Sequence, residues 1–266
     1  MSGFRDTLAR RIMPEGEESF RRSLPEEVAV AIEYNGIGYA VMMATPSDLR
    51  DFAVGFTLSE RIVASASEIG EIEADEVIHG WLLRVWIAPE RMTAVHERAR
   101  QRVAESGCGL CGVESLDRLA QPLPRVSHGL LVETSAIFHA LSEIPEHQPL
   151  NERTGGVHAA AFCDPDGKIR LVREDVGRHN ALDKTLGALA KAGLDAGEGF
   201  LLLTSRCSFE LVEKAVLAGA HTLVTISTAT TLASDRARQA GLRLIALARP
   251  DAMLELVSSP ETHSRH

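Results

Sequence analysis

The chemistry most plainly indicated by the sequence lies in a pair of cysteines. Cys108 and Cys111 are separated by two residues, and Gly107, Gly109 and Gly112 surround them. Glycine allows unusual backbone dihedrals and lets another molecule approach the backbone closely. A thiol in such a segment is therefore open to a bulky reactant. Two cysteines at this spacing are typical of metal binding or of thiol chemistry.

Three kinds of site would use such a pair. A structural zinc site needs four ligands, but the other two cysteines, Cys163 and Cys207, are isolated in the sequence. A zinc deaminase needs H-x-E and P-C-x-x-C, whereas no histidine is followed by glutamate two residues later and Gly107 replaces the proline. A thiol carrier or redox pair needs only the cysteines and a lowered thiol pKa. The sequence lacks fewer of the required residues for this site than for either zinc site. The interpretation predicts a protein without a metal of its own.

A second group of polar residues lies in the segment Glu174–Lys184. It places Arg178, His179 and Asn180 where a strand is expected to give way to a helix. The free N–H groups at a helix N-terminus attract anions, so these neighbours favour phosphate binding. His158, which follows a Thr-Gly-Gly sequence, is a weaker candidate for the same site.

A third group lies in the segment Thr204–Ser208. It follows an apolar run and precedes a helical pattern, which is another natural place for a phosphate. Arg206 would donate paired hydrogen bonds to the phosphate oxygens, and Ser208 stands at the expected start of the helix. The pattern G-x-x-x-x-G-K-[ST] does not occur in the chain, so P-loop ATP chemistry is unsupported.

Strand and helix patterns alternate in the second half of the chain. Apolar runs at Phe200–Thr204, Thr222–Ser227 and Arg243–Ala248 predict strands, and Phe209–Ala218 and Thr231–Ala240 predict helices. Such alternation is typical of a parallel sheet covered by helices. In these sheets ligands bind at the carboxyl ends of the strands. The loops expected to carry the site are Arg173–Asn180, Thr204–Ser208, Ser227–Thr231 and Arg249–Ala252.

Upstream of this alternation the sequence predicts a hairpin. Ala159–Phe162 and Ile169–Val172 flank an Asp-Pro-Asp-Gly turn, so we expect them to join the same sheet. Asp175 is expected to cap a helix that runs to about Ala192.

The first half predicts a smaller α+β unit. An Asn-Gly turn after Val28–Tyr34 indicates a hairpin, and Thr45 with the following proline predicts a helix start. We expect a strand at Val77–Ile87 and a helix at Pro89–Glu105. The N-terminus, before Val28, is expected to be a tail or arm with at most a short helix. The expected units are a tail (1–27), a small α+β unit (28–107), a segment with the cysteine pair and connecting helices (108–153), an α/β core (154–257) and a second tail (258–266).

Composition narrows the class of protein. The 266 residues include 28 Lys+Arg and 37 Asp+Glu, which gives a net charge of −9. An acidic chain lacks the basic face that nucleic-acid binding needs, and no apolar run reaches the about 18 residues of a membrane span. The N-terminus has no apolar signal region, and four cysteines are too few for a disulfide scaffold. We expect a soluble, cytoplasmic protein that binds neither nucleic acid nor membrane.

Three stretches resemble the FdhD/NarQ family, the formate dehydrogenase accessory sulfurtransferases. They are Cys108–Gly112, Thr154–Ala160 and Glu174–Lys184. The likeness covers roughly residues 28–250. It extends to the Asn-Gly turn at 35–36, to the segment 45–56 and to the helix that holds Glu213, Lys214 and Ala215.

The resemblance implies a carrier that accepts persulfide sulfur from a cysteine desulfurase on Cys108. The carrier would pass it to the molybdenum cofactor, bis-molybdopterin guanine dinucleotide, before the cofactor enters formate dehydrogenase. The resemblance also implies a cytidine-deaminase-like fold, a three-layer α/β/α sandwich with the smaller N-terminal α+β subdomain, and a homodimer. The family's cofactor-binding stretch falls on Leu247, Ala248, Arg249, Pro250, Asp251 and Ala252.

In this interpretation the acidic cofactor is held by helix N-termini and by Arg178, Arg206 and Arg249. His158 or His179 supplies a proton or a hydrogen bond, and Cys111 resolves the persulfide.

Two stretches depart from the family's pattern. Thr-Ser-Arg at 204–206 stands where Ser-Gly-Arg is usual, and Asp251 and Ala252 are less cationic than expected. Two other functions remain open. One is a non-catalytic chaperone that docks the molybdenum cofactor into the apo-enzyme, and the other is a dithiol oxidoreductase built on the cysteine pair.

Overall fold

A computed structural model describes residues 3–97, 122–126 and 131–256. The described strands form three sheets of two, four and six strands. The strands are β1 (Phe4–Met13), β2 (Gly16–Pro25), β3 (Val28–Tyr34), β4 (Ile37–Ala44), β5 (Ile69–Val77), β6 (Gly80–Ile87), β7 (His158–Cys163), β8 (Ile169–Asp175), β9 (Phe200–Leu203), β10 (Thr222–Thr225), β11 (Arg243–Ala246) and β12 (Leu254–Glu255). The α-helices used below are α1 (Leu49–Ser59), α2 (Thr134–Glu143), α3 (Pro149–Thr154), α4 (Arg178–Ala192), α5 (Phe209–Leu217) and α6 (Thr231–Ala240).

The six-stranded sheet has the order β12-β11-β10-β9-β7-β8. Strands β9, β10 and β11 are parallel, while β7 runs antiparallel to both β8 and β9. The predicted parallel core and the predicted hairpin β7–β8 are thus confirmed, and so is the mixed α/β class. Helix α6 has the predicted bounds, Thr231–Ala240. It ends where predicted because Gly241 adopts φ 75°, a conformation typical of a helix C-terminus.

Helices cover both faces of this sheet. Leu201 and Leu203 of β9 pack in a core cluster with α4, α5 and α6. Phe200 and Leu202 pack in a second cluster with α2. Successive side chains of a strand point to opposite faces, so each apolar strand supplies both clusters. The described chain therefore has helices on either side of one sheet, and the specific cytidine-deaminase-like arrangement stays a prediction.

The smaller unit is a four-stranded sheet, β4-β3-β6-β5, packed against α1. The prediction of a single strand at Val77–Ile87 is wrong, because two antiparallel strands, β5 and β6, meet at a turn there. Residues 92–97 are helical as predicted, and the rest of the helix expected at Pro89–Glu105 lies outside the described residues.

Helix α1 begins at Leu49 and not at Thr45. The Thr45 hydroxyl accepts a hydrogen bond from the Val176 N–H at 3.1 Å, so it joins the two units instead of capping the helix. Asp48 at φ 53° is the residue that precedes the first turn.

Residues 4–25 form an antiparallel hairpin, not the tail or short helix expected for 1–27. Most of its side chains are exposed and none of the strand residues is buried, so the strands lack the alternation of apolar and polar residues that reveals a strand in sequence. Cross-strand ion pairs join Arg10 to Glu17 and Arg11 to Glu18. The expected C-terminal tail, 258–266, lies outside the described residues.

Helices α1 and α4 cross at two glycines. A Cβ atom on Gly55 would lie 1.8 Å from the carbonyl oxygen of Asp183, and one on Gly187 would lie 1.9 Å from that of Asp51. Only residues without a side chain permit this approach. The crossing fixes the smaller unit against the helix that begins at the predicted site.

Candidate functional site

The predicted loops meet at one edge of the six-stranded sheet. Strands β8, β9, β10 and β11 point the same way, so their carboxyl ends share that edge with the start of β7. Hydrogen bonds connect neighbouring loops: the Cys207 N–H donates to the Thr228 carbonyl at 3.0 Å, and the Leu247 N–H donates to the Ser227 carbonyl at 2.9 Å. The expectation that these loops lie together is confirmed.

Two arginines act on His158 at this edge. The imidazole is half-buried at the start of β7, and burial lowers its pKa. The positive charges of Arg178 and Arg206 lower this pKa further, while Asp175 opposes them. Both guanidinium groups therefore lie close enough to influence one ring.

The same arginines have hydrogen-bonding capacity left for a ligand. The Nε atom of Arg178 is buried and has no hydrogen-bond partner within the described residues. Arg206 is exposed and takes part in no ion pair in that part of the chain. Ser208 precedes the first turn of α5 and makes no capping hydrogen bond to it, while the Glu210 carboxylate accepts the Glu210 N–H. This corner is chemically suited to an anion such as phosphate.

His179, Ser208 and Glu210 form a polar cluster beside the arginines. The His179 Nε2 lies 3.3 Å from the Ser208 hydroxyl and 3.7 Å from a Glu210 carboxylate oxygen. Hydrogen bonding to His179 is the main reason that the pKa of Glu210 falls to about 2. Sequence reasoning missed Glu210, because an acid in the first turn of a helix is usually explained by the helix dipole alone.

Many side chains of the segment Glu174–Lys184 are buried in the protein interior. The Lys184 ammonium pairs with the Asp175 carboxylate at 2.6 Å, and both side chains are fully buried. Lys184 also donates to the Thr45 carbonyl at 2.9 Å, and the Thr45 N–H donates to Asp175 at 3.0 Å. Burial lowers the pKa of Lys184, and the Asp175 charge opposes this change. The pair joins the sheet to the smaller unit.

Asn180 belongs to the same interior network. Its amide nitrogen donates to the Met43 carbonyl at 2.8 Å and to Asp175 at 3.0 Å. Its N–H donors are therefore engaged inside the protein, and its predicted contact with a cofactor has no free donor to use. Arg178 and His179 lie at the sheet edge instead.

Asp175 does not cap helix α4, contrary to expectation. Gly177 is the residue before the first turn, and no side chain caps it. Asp175 accepts the Gly177 N–H at 2.7 Å while it pairs with Lys184. Glu174 instead accepts the N–H groups of Leu150 and Asn151 at the start of α3, and burial raises its pKa.

The stretch Leu247–Ala252 follows β11 at the same edge. Leu247 adopts φ 49° and is exposed, whereas Ala248 is buried. The Arg249 N–H donates to the Ala252 carbonyl at 2.8 Å, which closes a turn that presents Arg249, Pro250 and Asp251 to solvent.

This stretch is distant from helix α4. Strands β11 and β8 are four positions apart in the sheet, which corresponds to about 19 Å at the usual strand spacing. Arg249 and Arg178 therefore belong to loops that follow well-separated strands of the sheet.

The four cysteines fall into two groups. Cys163 and Cys207 are free and buried, and burial raises the pKa of both thiols, that of Cys207 to about 12. Cys108 and Cys111 lie outside the described residues. The segment 107–112 also fits the letters G-x-G-x-x-G, a spacing that indicates dinucleotide binding only between a strand and a helix.

Two further observations concern the described residues 3–97, 122–126 and 131–256. No group of three or more His, Cys, Asp or Glu side chains there is arranged to hold a metal ion. None of the helices in that part of the chain combines the length and the apolar character that a membrane span requires.

Comparison with known proteins gives the class of this chain. A model of the FdhD/NarQ family matches residues 25–262. Sulfur carrier protein FdhD of Xanthomonas axonopodis pv. citri is 48% identical over 223 residues, which cover 84% of this chain and 79% of that protein. The protein of the same name from Chromobacterium violaceum is 46% identical over 233 residues, 86% of each chain.

A solved structure agrees with the fold. A Desulfotalea psychrophila crystal structure, described as a formate dehydrogenase accessory protein, superposes with a TM-score of 0.75. It covers 97% of each chain at 22% sequence identity. The fold is thus shared over nearly the whole length. This chain belongs to the FdhD/NarQ family.

Proposed function

We propose that this protein is a sulfur carrier, a sulfurtransferase that accepts persulfide sulfur on Cys108 and passes it to the molybdenum cofactor needed by formate dehydrogenase. Family membership and the names of the relatives support this proposal. The observation that carries it is the burial of the other two cysteines. Cys163 and Cys207 are buried with raised pKa values, and a buried, protonated thiol is a poor nucleophile. Transfer is therefore assigned to Cys108 and Cys111.

The proposed loading step is a thiol exchange. The Cys108 thiolate attacks the outer sulfur of a persulfide on the cysteine desulfurase. The S–S bond of the donor breaks, the donor cysteine leaves as a thiolate, and Cys108 becomes the persulfide. In the absence of an acceptor, the Cys111 thiolate attacks the inner sulfur of Cys108, which forms a disulfide and releases the outer sulfur as sulfide.

The test of this function is the mass of the protein after incubation with a cysteine desulfurase and cysteine. We expect one added sulfur atom, located by peptide mapping on Cys108. A dithiol reductant should remove it, because persulfides are reduced by thiols. An unchanged mass, or sulfur located on Cys163 or Cys207, would contradict the carrier proposal.

The second part of the proposal is that the sheet edge holds the cofactor, bis-molybdopterin guanine dinucleotide, as the acceptor substrate. The unpartnered Nε of Arg178, the exposed Arg206 and the start of α5 suit one of its phosphates. Arg249 suits a more distant part, because the cofactor is long enough to span the about 19 Å between strand ends. His179 or His158 supplies a proton or a hydrogen bond.

We expect GDP, the nucleotide part of that cofactor, to bind at this edge. Binding should weaken with added salt because ion pairing contributes to it. An Arg206→Ala variant should lose about 1.5–3 kcal/mol of binding free energy, the value of a charge-assisted hydrogen bond. AMP should bind more weakly, a preference taken from the family. Titration calorimetry measures all three effects.

Arg238→Ala is the matched control for Arg206→Ala. Arg238 is an exposed arginine in the last turn of α6, and that helix begins at the sheet edge, so its last turn lies at the opposite end. Its removal changes the net charge equally and should leave GDP affinity unaltered. Unchanged GDP affinity in the single alanine variants of Arg178, Arg206 and Arg249 would place the nucleotide elsewhere.

We further propose a homodimer in the cytoplasm that meets a cysteine desulfurase and formate dehydrogenase in turn. The reducing cytoplasm keeps the cysteine pair in its thiol form. A non-catalytic chaperone would bind GDP but gain no sulfur, and a dithiol oxidoreductase would reduce insulin disulfides without binding GDP. The two experiments above therefore separate the three functions.

A further inference from the structure

A cleft of about 470 Å³ lies away from the predicted sheet edge, among α1, α4, α5 and the loop after α1. Its volume falls within the range of small-molecule sites. Leu58, Leu186, Leu189, Leu194 and Leu217 supply apolar walls from three helices and the turn after α4. Leu194 is 37% exposed, so apolar surface faces solvent in this cleft.

The charged residues that line the cleft are all cations. They are Arg61, Arg91 and Lys214, and no acid belongs to the lining. Two of the three have an anion behind them: Lys214 pairs with the buried Asp183 at 2.6 Å, and Arg91 pairs with Glu68 at 2.5 Å. Arg61 has no ion pair or hydrogen bond from its side chain within the described residues.

The backbone holds Arg61 in an unusual conformation. Its φ of 54° is in the left-handed region, where a helix end usually has glycine. The Arg61 N–H donates to the Leu58 carbonyl at 2.9 Å, and the Ile62 N–H donates to the Thr57 carbonyl at 3.1 Å. This hydrogen-bond pattern ends α1 as a glycine would. Backbone strain of this kind tends to persist at functional positions.

We propose that this cleft binds a small anionic amphiphile, with its apolar body against the leucines and its carboxylate or similar anion on Arg61. The ligand anion supplies the partner that Arg61 lacks among the described residues. The apolar body covers the exposed leucine surface, which stabilises the complex by the hydrophobic effect. Lys214 and Arg91 already pair with Asp183 and Glu68, so Arg61 is the cation of the lining that remains for the ligand anion.

The test uses octanoate as the probe, with the full chain and titration calorimetry. Acetate has the same charge without the apolar body, and octanol has the body without the charge. We expect both to bind at least about tenfold more weakly than octanoate. Failure of octanoate to bind, or equal binding of octanol, would overturn the proposal.

Arg61→Gly separates binding from folding. Glycine relieves the positive φ, so the melting temperature should be unchanged or higher, while octanoate affinity falls at least about tenfold. Leu194→Ser should also weaken octanoate binding without a large change in melting temperature, because that side chain is already partly exposed.

The control variant is Arg50→Ala, which removes an exposed arginine of α1 outside the lining. It should bind octanoate like the unaltered protein. Octanoate affinity within about twofold of normal in Arg61→Gly would refute the assignment.

Discussion

A Cys108→Ala variant is expected to abolish sulfur transfer. Without this thiol no persulfide forms, so the variant should gain no sulfur mass from a cysteine desulfurase and should fail to activate formate dehydrogenase. The second cysteine should not replace it, because the resemblance assigns the carrier role to the first. The measurement is formate oxidation by a client matured in the presence of each variant.

Cys163→Ala is the control for that experiment. Cys163 is fully buried in the core cluster beside α2, and burial raises the pKa of its thiol. Its removal leaves a small cavity but no loss of accessible thiol, so sulfur loading should continue. GDP binding by Cys108→Ala should stay normal, because Arg178, Arg206 and Arg249 are all retained. Normal activation of formate dehydrogenase by Cys108→Ala would end the carrier assignment.

The alternating half of the fold could be predicted because its signals are local. Strand β9 is an uninterrupted apolar run, and glycines at positive φ follow the helices, such as Gly219 and Gly241. These features indicate element type and end within a few residues. The exposed hairpin at 4–25 has no such pattern, since neither of its faces is buried in the described chain.

The site could be predicted only in part, because the local sequence around a polar residue does not indicate hydrogen-bond partners that are distant in the chain. Thr45 looked like a helix cap, but its N–H and hydroxyl bind Asp175 and Val176, about 130 residues away. Asn180 is predicted to contact a ligand because its partners, Met43 and Asp175, cannot be read from the neighbouring sequence. Arg178 and Arg206 do lie at one sheet edge, as the alternating elements of a parallel sheet predict, and their contact with a cofactor stays a prediction.

The interior network makes a strong prediction about stability. Lys184→Met leaves the Asp175 carboxylate buried without its cation and the Thr45 carbonyl without that donor. Breaking a buried ion pair in this way costs about 3–5 kcal/mol, a large part of the about 5–15 kcal/mol that a typical protein has in total. Urea unfolding should show the loss as a lower midpoint. The network also holds the turn before Arg178, so GDP affinity should fall as well.

Lys191→Met is the matched control, because Lys191 lies in the same helix and also pairs with an aspartate at 2.6 Å. The Lys191 side chain is 50% exposed, and Asp51 keeps a second partner, Arg173, at 2.7 Å. Because Lys191 is half-exposed and the buried Asp51 keeps Arg173 as a partner, losing Lys191 should cost only about 1 kcal/mol. The two substitutions remove the same charge over the same distance, so their difference measures the combined effect of burying the cation and of leaving its carboxylate without another cation. Equal losses from Lys184→Met and Lys191→Met would show that the buried network contributes no more to stability than a half-exposed ion pair.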